Sequence, residues 1–103
     1  MARSISLRFA AQESVYLPEH DAVAITAVAG DRTIPCVATR AAMALLGCGR
    51  GDGPERMIQK FEHHRPMLEC AAAYKHGRRR WETQSPVTID DRDLCALFGF
   101  RRD

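Results

Sequence analysis

The sequence has no long apolar run. Nothing in its 103 residues approaches the ~20 consecutive apolar residues that span a bilayer. The opening MARSISLRFAAQ carries arginines but lacks the unbroken apolar centre of a secretory signal. There is no C-x-x-C pair either. Cys36, Cys48, Cys70 and Cys95 are scattered, and a chain long enough to build its own core does not need a disulfide framework, so they read as reduced thiols of a cytoplasmic protein. Charge of one sign is not in excess: the net charge of +2 selects no class of partner. Internal repeats and low-complexity segments are missing as well. The apolar fraction of 46% and charged fraction of 27% describe an ordinary folded chain. The expectation is one domain over residues 1–103, with a core over about 5–98 and a frayed tail over 99–103.

What is present is organised around PERMIQKFEHHRPMLECAAAYKHG, residues 54–77. Met57, Ile58, Phe61, Leu68, Ala71 and Ala72 share one helical face, with His64 or Arg65 at the missing step. Pro54 suits a first helical position behind a cap at Asp52 or Gly53. Pro66 removes a backbone donor and crowds the carbonyl four residues back, so the helix should kink or break near Arg65. Gly77 should end the second segment.

Before it, Ile5, Leu7 and Phe9 alternate as a short strand. Pro18 and Glu19-His20-Asp21 mark a loop, and Val15, Tyr16 and Leu17 either extend the sheet or cap the core. Ala22–Val28 and Arg32–Ala38 flank Gly30-Asp31 and read as a hairpin with a type I′ or II′ turn. The implied register pairs Ala29 with Arg32, Ala27 with Ile34, Ile25 with Cys36 and Val23 with Ala38. It sorts Val23, Ile25, Ala27, Ile34 and Cys36 onto one face, and Thr26 and Thr33 onto the other. Pro35 belongs at an edge or a bulge. Thr39 caps a short helix closed by Gly47. After the long helix, residues 78–83 offer a strand, Gln84-Ser85-Pro86 a turn and Val87-Thr88-Ile89 a last strand. Asp90 or Asp91 caps a final helix holding Leu94, Leu97 and Phe98. The fold class is α+β: an antiparallel sheet of three to five strands against a kinked long helix and one or two short ones.

Taken in order, the I-x-L-x-F strand, G-D-R-T-I-P-C-V-A-T, A-A-M-A-L-L-G, F-E-H-H-R-P-M-L-E-C-A-A-A-Y-K and V-T-I-D-D-R-D-L resemble the small bacterial family catalogued as domain of unknown function 1488. Gly30, Cys36, Gly47, Phe61, Arg65 and Asp93-Leu94 carry the likeness, over roughly residues 5–95. The resemblance implies a compact α+β domain of proteobacterial type. It implies no activity and supplies no catalytic or binding residues.

Candidate chemistry is sparse. A zinc site needs about four N/S ligands. His63 and His64 lie about 100° apart on a helix and cannot easily face one ion, and His20 and His76 are remote in sequence. No metal or cofactor is expected. Cys36, Cys70 and Cys95 read as small core residues, and Cys48, between glycines, as the exposed one. Ser14, Ser85, His20 and Asp21 form no triad signature. Glu62 and Glu69, seven apart, read as solvated surface, with Glu62 near enough to pair with Arg65. The glycines at 47, 49, 51 and 53 lack the G-K-S/T of a phosphate loop, and Pro54-Glu55 follows instead. Thr39–Phe61 reads as helix–loop–helix with too long a connection for the DNA-binding turn.

Residues 39–80 carry 9 positive and 4 negative side chains, an excess ending in Lys75, Arg78, Arg79 and Arg80 beside Trp81. Arginines grip phosphates and an indole stacks bases, so these five residues are the candidate nucleic-acid or anion site. The plainer reading, that the arginines complement a helix end and Trp81 packs, is preferred. The leading expectation is therefore a non-enzymatic cytoplasmic accessory domain that binds a protein partner or itself, without a membrane. A nucleic-acid-binding regulator is the alternative, and thiol chemistry at Cys48 or Cys70 the third.

Overall fold

The computed structural model describes residues 7–9, 12–78 and 85–101. Among them the strands are β1 (Arg8–Phe9), β2 (Val15–Leu17), β3 (Ala22–Ala29), β4 (Arg32–Ala38) and β5 (Val87–Ile89). The helices are α1 (Arg40–Leu45), α2 (Pro54–His63), α3 (Arg65–Gly77) and α4 (Asp91–Phe98).

The β3–β4 hairpin has the register that the alternation predicts, from Val23↔Ala38 to Ala29↔Arg32. Gly30 takes φ +64° and Asp31 does not go positive, which leaves type II′ of the two candidate turns. β1 and β2 both pair antiparallel with β3. Phe9 sits opposite Ala27 and Val15 opposite Ala24, so six steps on one side face three on the other. β1 and β2 thus share one edge of β3, out of step by three residues.

On the far side β5 pairs with β4 in parallel, Cys36↔Val87 to Ala38↔Ile89. The expected α+β fold with its antiparallel sheet is thus present, and β5 is the one described strand that runs parallel to its neighbour. The three helices between β4 and β5 supply the crossover that a parallel pairing requires. Pro35 lies just outside that ladder, opposite Thr26, where its missing N–H is tolerated.

Thr39 caps α1, its Oγ1 accepting from the Ala42 N–H at 3.2 Å. Past α1 the Gly47 N–H donates to Ala44 O and the Cys48 N–H to Met43 O, while Gly47 adopts φ +106°. This is the Schellman closure, and it folds Cys48 back onto Met43. Pro54 opens α2 behind Gly53, and the break falls at His64, as Pro66 demands. A reciprocal capping box between Asp90 and Asp93 starts α4, and Gly99 ends it at φ +75°.

One cluster forms the core. It joins Val23, Ile25, Ala27, Ile34, Cys36, Ala38, Val87 and Ile89 of the sheet to buried residues of all four helices: Met43, Met57, Phe61, Leu68, Ala72 and Leu94 among them. Phe100, beyond α4, packs partly buried against it.

Two thiol assignments are corrected. Cys48 is buried in this cluster, because the Schellman turn aims it inward. Cys70 is exposed: on α3 it lies two residues from both Leu68 and Ala72, roughly opposite the face they bury. Cys36 is buried as expected, and Cys95 is half-buried.

Candidate functional site

The last turn of α3 and the middle of α4 border a groove of about 360 Å³, lined by Tyr74, Lys75, Arg78, Asp93, Ala96 and Leu97. Two of the five predicted basic-site residues meet here. Lys75 is already engaged, its Nζ donating to Asp93 Oδ2 at 2.9 Å and to the Thr88 carbonyl at 2.6 Å. Arg78 is exposed. Its guanidinium donates to the Tyr74 hydroxyl at 3.1 Å and lies 5.4 Å from that ring's centroid. Arg79, Arg80 and Trp81 lie outside the described residues. Burial pushes the Asp93 carboxyl up, but the Asp90 N–H and Lys75 outweigh it and hold Asp93 below the usual carboxylate range. The groove can therefore present one uncompensated cation, Arg78, to an anionic group. Tyr74 was missed from the sequence, although its i, i+4 spacing to Arg78 was readable.

Two clamps engage five further charged side chains. Arg40 forks onto Asp21, with Nε 2.9 Å from Oδ2 and Nη2 3.0 Å from Oδ1, and also donates to the Gly49 and Asp52 carbonyls. Tyr16 donates to the same carboxylate. Arg40 and Tyr16 hold Asp21 below its ordinary value, and Asp21 in turn raises the Tyr16 hydroxyl. These contacts pin Asp21 at φ +48°, in the turn between β2 and β3.

Arg65 forms the second clamp. It donates to Glu69 at 2.8 Å, to Glu62 at 3.1 Å and to the Gln12 carbonyl at 2.6 Å. The Ser14 N–H donates to Glu62 Oε2 at 3.0 Å. Burial would raise Glu62, but Ser14 and Arg65 outweigh it and keep the group ionised. Glu62 and Glu69 are thus structural ligands of Arg65 and not simply solvated surface. Burial pushes the Cys48 thiol up, away from the thiolate that nucleophilic chemistry needs. His63 and His64 meet edge to face, centroids 4.8 Å apart. Among the described residues no three His, Cys, Asp or Glu side chains converge as metal ligands. Nor is any described helix long and apolar enough to cross a membrane.

The sheet's other face is turned away from the described helices. The register places Val15, Ala24, Val37 and Thr88 in one row across four strands, flanked by Leu17 and Ala22 on one side and by Thr26 and Pro35 on the other. Arg8, Val28 and Thr33 end it near the hairpin turn. Ala22 and Ala24 are buried yet stand outside the core cluster, which confirms that they point away from the helices. Val15 is 54% exposed, and Thr33, Pro35 and Thr88 are exposed as well. Arg8 is the one charged side chain among these positions.

Residues 7–89 match the DUF1488 family, described as proteins of unknown function. The chain belongs to the DUF1488 family. No curated protein matches it. A crystal structure of a DUF1488 protein of unknown function from Shewanella loihica PV-4 is similar to it, with a TM-score of 0.69 at 18% identity, covering 87% of this chain and 96% of that one. At that identity the likeness speaks for the fold alone.

The residues that carry the DUF1488 likeness all have structural work. Gly30 turns the hairpin, Gly47 closes α1, and Cys36, Phe61 and Leu94 fill the core. Arg65 ties residue 12 to the α2–α3 junction, and Asp93 caps α4 and holds Lys75.

Proposed function

We propose that this DUF1488 protein is a non-enzymatic cytoplasmic interaction domain that works through the open face of its sheet. The observation that carries this reading is the composition of that face. A sheet with one face in water ordinarily alternates apolar-in with polar-out. Here the outward positions are Val15, Leu17, Ala22, Ala24, Val28, Pro35 and Val37, with three threonines and Arg8. Four cysteines without a disulfide suit the cytoplasm.

The test is site-specific photocrosslinking in the native cell, with a photoreactive amino acid at Val37 or, as control, at exposed Gln59 on α2. Discrete protein adducts from position 37 that are absent from position 59 are expected. Equal or absent labelling from the two positions overturns the reading.

A second reading rests on Arg78, exposed and stacked on Tyr74 beside the groove. It makes the α3 end, with Arg79, Arg80 and Trp81, a contact for nucleic acid. Binding to a fluorescent oligonucleotide should then weaken steeply with salt, and replacing Arg78–Arg80 by alanine should flatten that slope. No binding at low salt ends this reading.

A further inference from the structure

The groove between α3 and α4 carries chemistry that the sheet face does not use. Three charged side chains line it: Lys75, Arg78 and Asp93. Lys75 and Asp93 cancel, because the ammonium donates to that carboxylate at 2.9 Å. The lining therefore keeps one net positive charge, and it resides on Arg78. No acid among the described residues pairs with Arg78.

Tyr74 holds the guanidinium in place. Arg78 Nη1 donates to the Tyr74 hydroxyl at 3.1 Å, and Cζ lies 5.4 Å from the centre of that ring. The edge formed by Nε and Nη2 has no partner among the described residues. Such an edge grips a carboxylate with two parallel hydrogen bonds. The Tyr74 hydroxyl accepts from Arg78 and keeps its own hydrogen to donate. Beside these donors the wall is apolar: the Tyr74 ring, Ala96 and Leu97. Tyr74 is 48% exposed, so its ring is open to a ligand.

We infer that this groove binds a small monocarboxylate with an aromatic or branched apolar body. Charge sets the anion. A single negative charge neutralises the lining, whereas a doubly charged phosphate would leave an excess beside Asp93. Volume sets the size: 360 Å³ lies at the small end of the ~300–1,000 Å³ range of ligand pockets. The Tyr74 contact fixes the guanidinium before the ligand arrives, which lowers the ordering cost of binding. The site sits on the helices and not on the outward sheet face, so the inference is independent of the interaction reading. It also gives Arg78 a different ligand from nucleic acid, a polyanion that is held by neutralising several phosphates at once.

Titration of the ¹⁵N-labelled full chain with 3-phenylpropionate, followed by NMR, tests this. Saturable shifts centred on residues 74–78 and 93–97 are expected, with a dissociation constant on the order of 1 mM. Neutral 3-phenylpropionamide lacks the charge and acetate lacks the apolar body, so each should bind at least about tenfold more weakly. Arg78→Gln should weaken phenylpropionate at least about tenfold, and Arg78→Lys should recover only part of that, because an ammonium cannot fork. Tyr74→Phe removes one hydroxyl, should cost about threefold, and gives a second probe of the site should an Arg78 variant misfold. Arg56→Gln, at an exposed position on α2, should change nothing. Absence of saturable shifts, equal binding of acid and amide, or a folded Arg78→Gln variant within about threefold of wild type overturns the inference. An oligonucleotide that shifts these residues where phenylpropionate does not overturns it as well, and leaves the nucleic-acid reading standing.

Discussion

Arg65→Met removes the guanidinium while leaving an apolar stem to pack, and its cost can be worked from the contacts. The Arg65 side chain is 16% exposed. Its bonds to Glu62 and Glu69 are i,i+3 and i,i+4 helix pairs with partners 38% and 29% exposed, so solvent screening limits them to about 0.3–0.5 kcal/mol each. The bond to the Gln12 carbonyl is different. It is a charged donor on a backbone acceptor 53 residues away, and such bonds contribute about 1.5 kcal/mol or more. Losing all three should cost about 2 kcal/mol, or roughly 10 °C of melting temperature for a chain this size. Residue 14 should also report locally. Its N–H bonds Glu62, whose carboxylate Arg65 orients, so its hydrogen exchange should accelerate in the variant even where the fold persists. The assay is thermal melting by circular dichroism alongside exchange resolved to the 12–14 segment. A melting point within about 2 °C of wild type, with unchanged exchange at Ser14, would refute the claim that Arg65 ties the sheet edge to the helix break.

Phe61→Ala empties a site 1% exposed at the centre of the core and should cost about 3–5 kcal/mol, most of the stability of a marginal domain, seen as loss of a cooperative urea transition. Gly47→Ala meets only the flexible end of Lys60, at 3.4 Å, so its cost of about 1–2 kcal/mol should come from φ +106° alone. In a thiol titration Cys70 should react first, and Cys36 and Cys48 only on unfolding, with Cys48 released earlier in the Gly47 variant. Because Asp21, Glu62 and Asp93 titrate lower in the folded state than their ordinary 3.8 or 4.5, their contribution is complete above those values and is lost as pH falls through the lower folded ones. Burial also holds the His64 imidazole below its ordinary 6.5, so melting temperature should ease downward below about pH 6.5 and drop further below about pH 4.5, the second step less steeply in Asp93→Asn.

What could be read in advance was whatever depends on neighbours in the chain. The hairpin register followed from alternation around Gly30. The helix break followed from Pro66 and the cap at Thr39 from residue type and position, while residue type alone leaves Asp52 or Gly53 and Asp90 or Asp91 as alternatives that the structure resolves to Gly53 and Asp90. The burial of Cys48 was readable too: a glycine at the αL position predicts that the next residue folds back onto the helix, here onto Met43. So was the exposure of Cys70, which sits opposite the buried positions of its own helix. Long-range facts were not legible. Nothing in Val87-Thr88-Ile89 states which way the strand runs, since direction is set by the helices that return the chain to β4. The engagement of Lys75 by Asp93, and of Arg40 by Asp21, joins residues 18 and 19 apart through tertiary packing. A charge count therefore overstated how much of the basic run is available to a ligand.

The proposed interaction role also draws on the hairpin, in a form that alternation alone passes over. Sorting its residues by face explains the core and notes Thr26 and Thr33 on the outside, but the remaining outward positions are Ala22, Ala24, Val28, Pro35 and Val37. Read whole, AVAITAVA is a run fit for a strand covered on both sides. The described helices all bury their apolar residues against one side. A pattern that asks for two layers over the sheet, where the described helices supply one, is the ground of the proposed interaction role. The residues that carry the family likeness cannot reveal this, because glycine turns, caps and a clamping arginine fix the scaffold whatever the scaffold later meets. Small side chains at outward strand positions are the feature to follow. Ala22 and Ala24 are already buried within the chain, and small side chains permit the close approach that long polar ones would prevent.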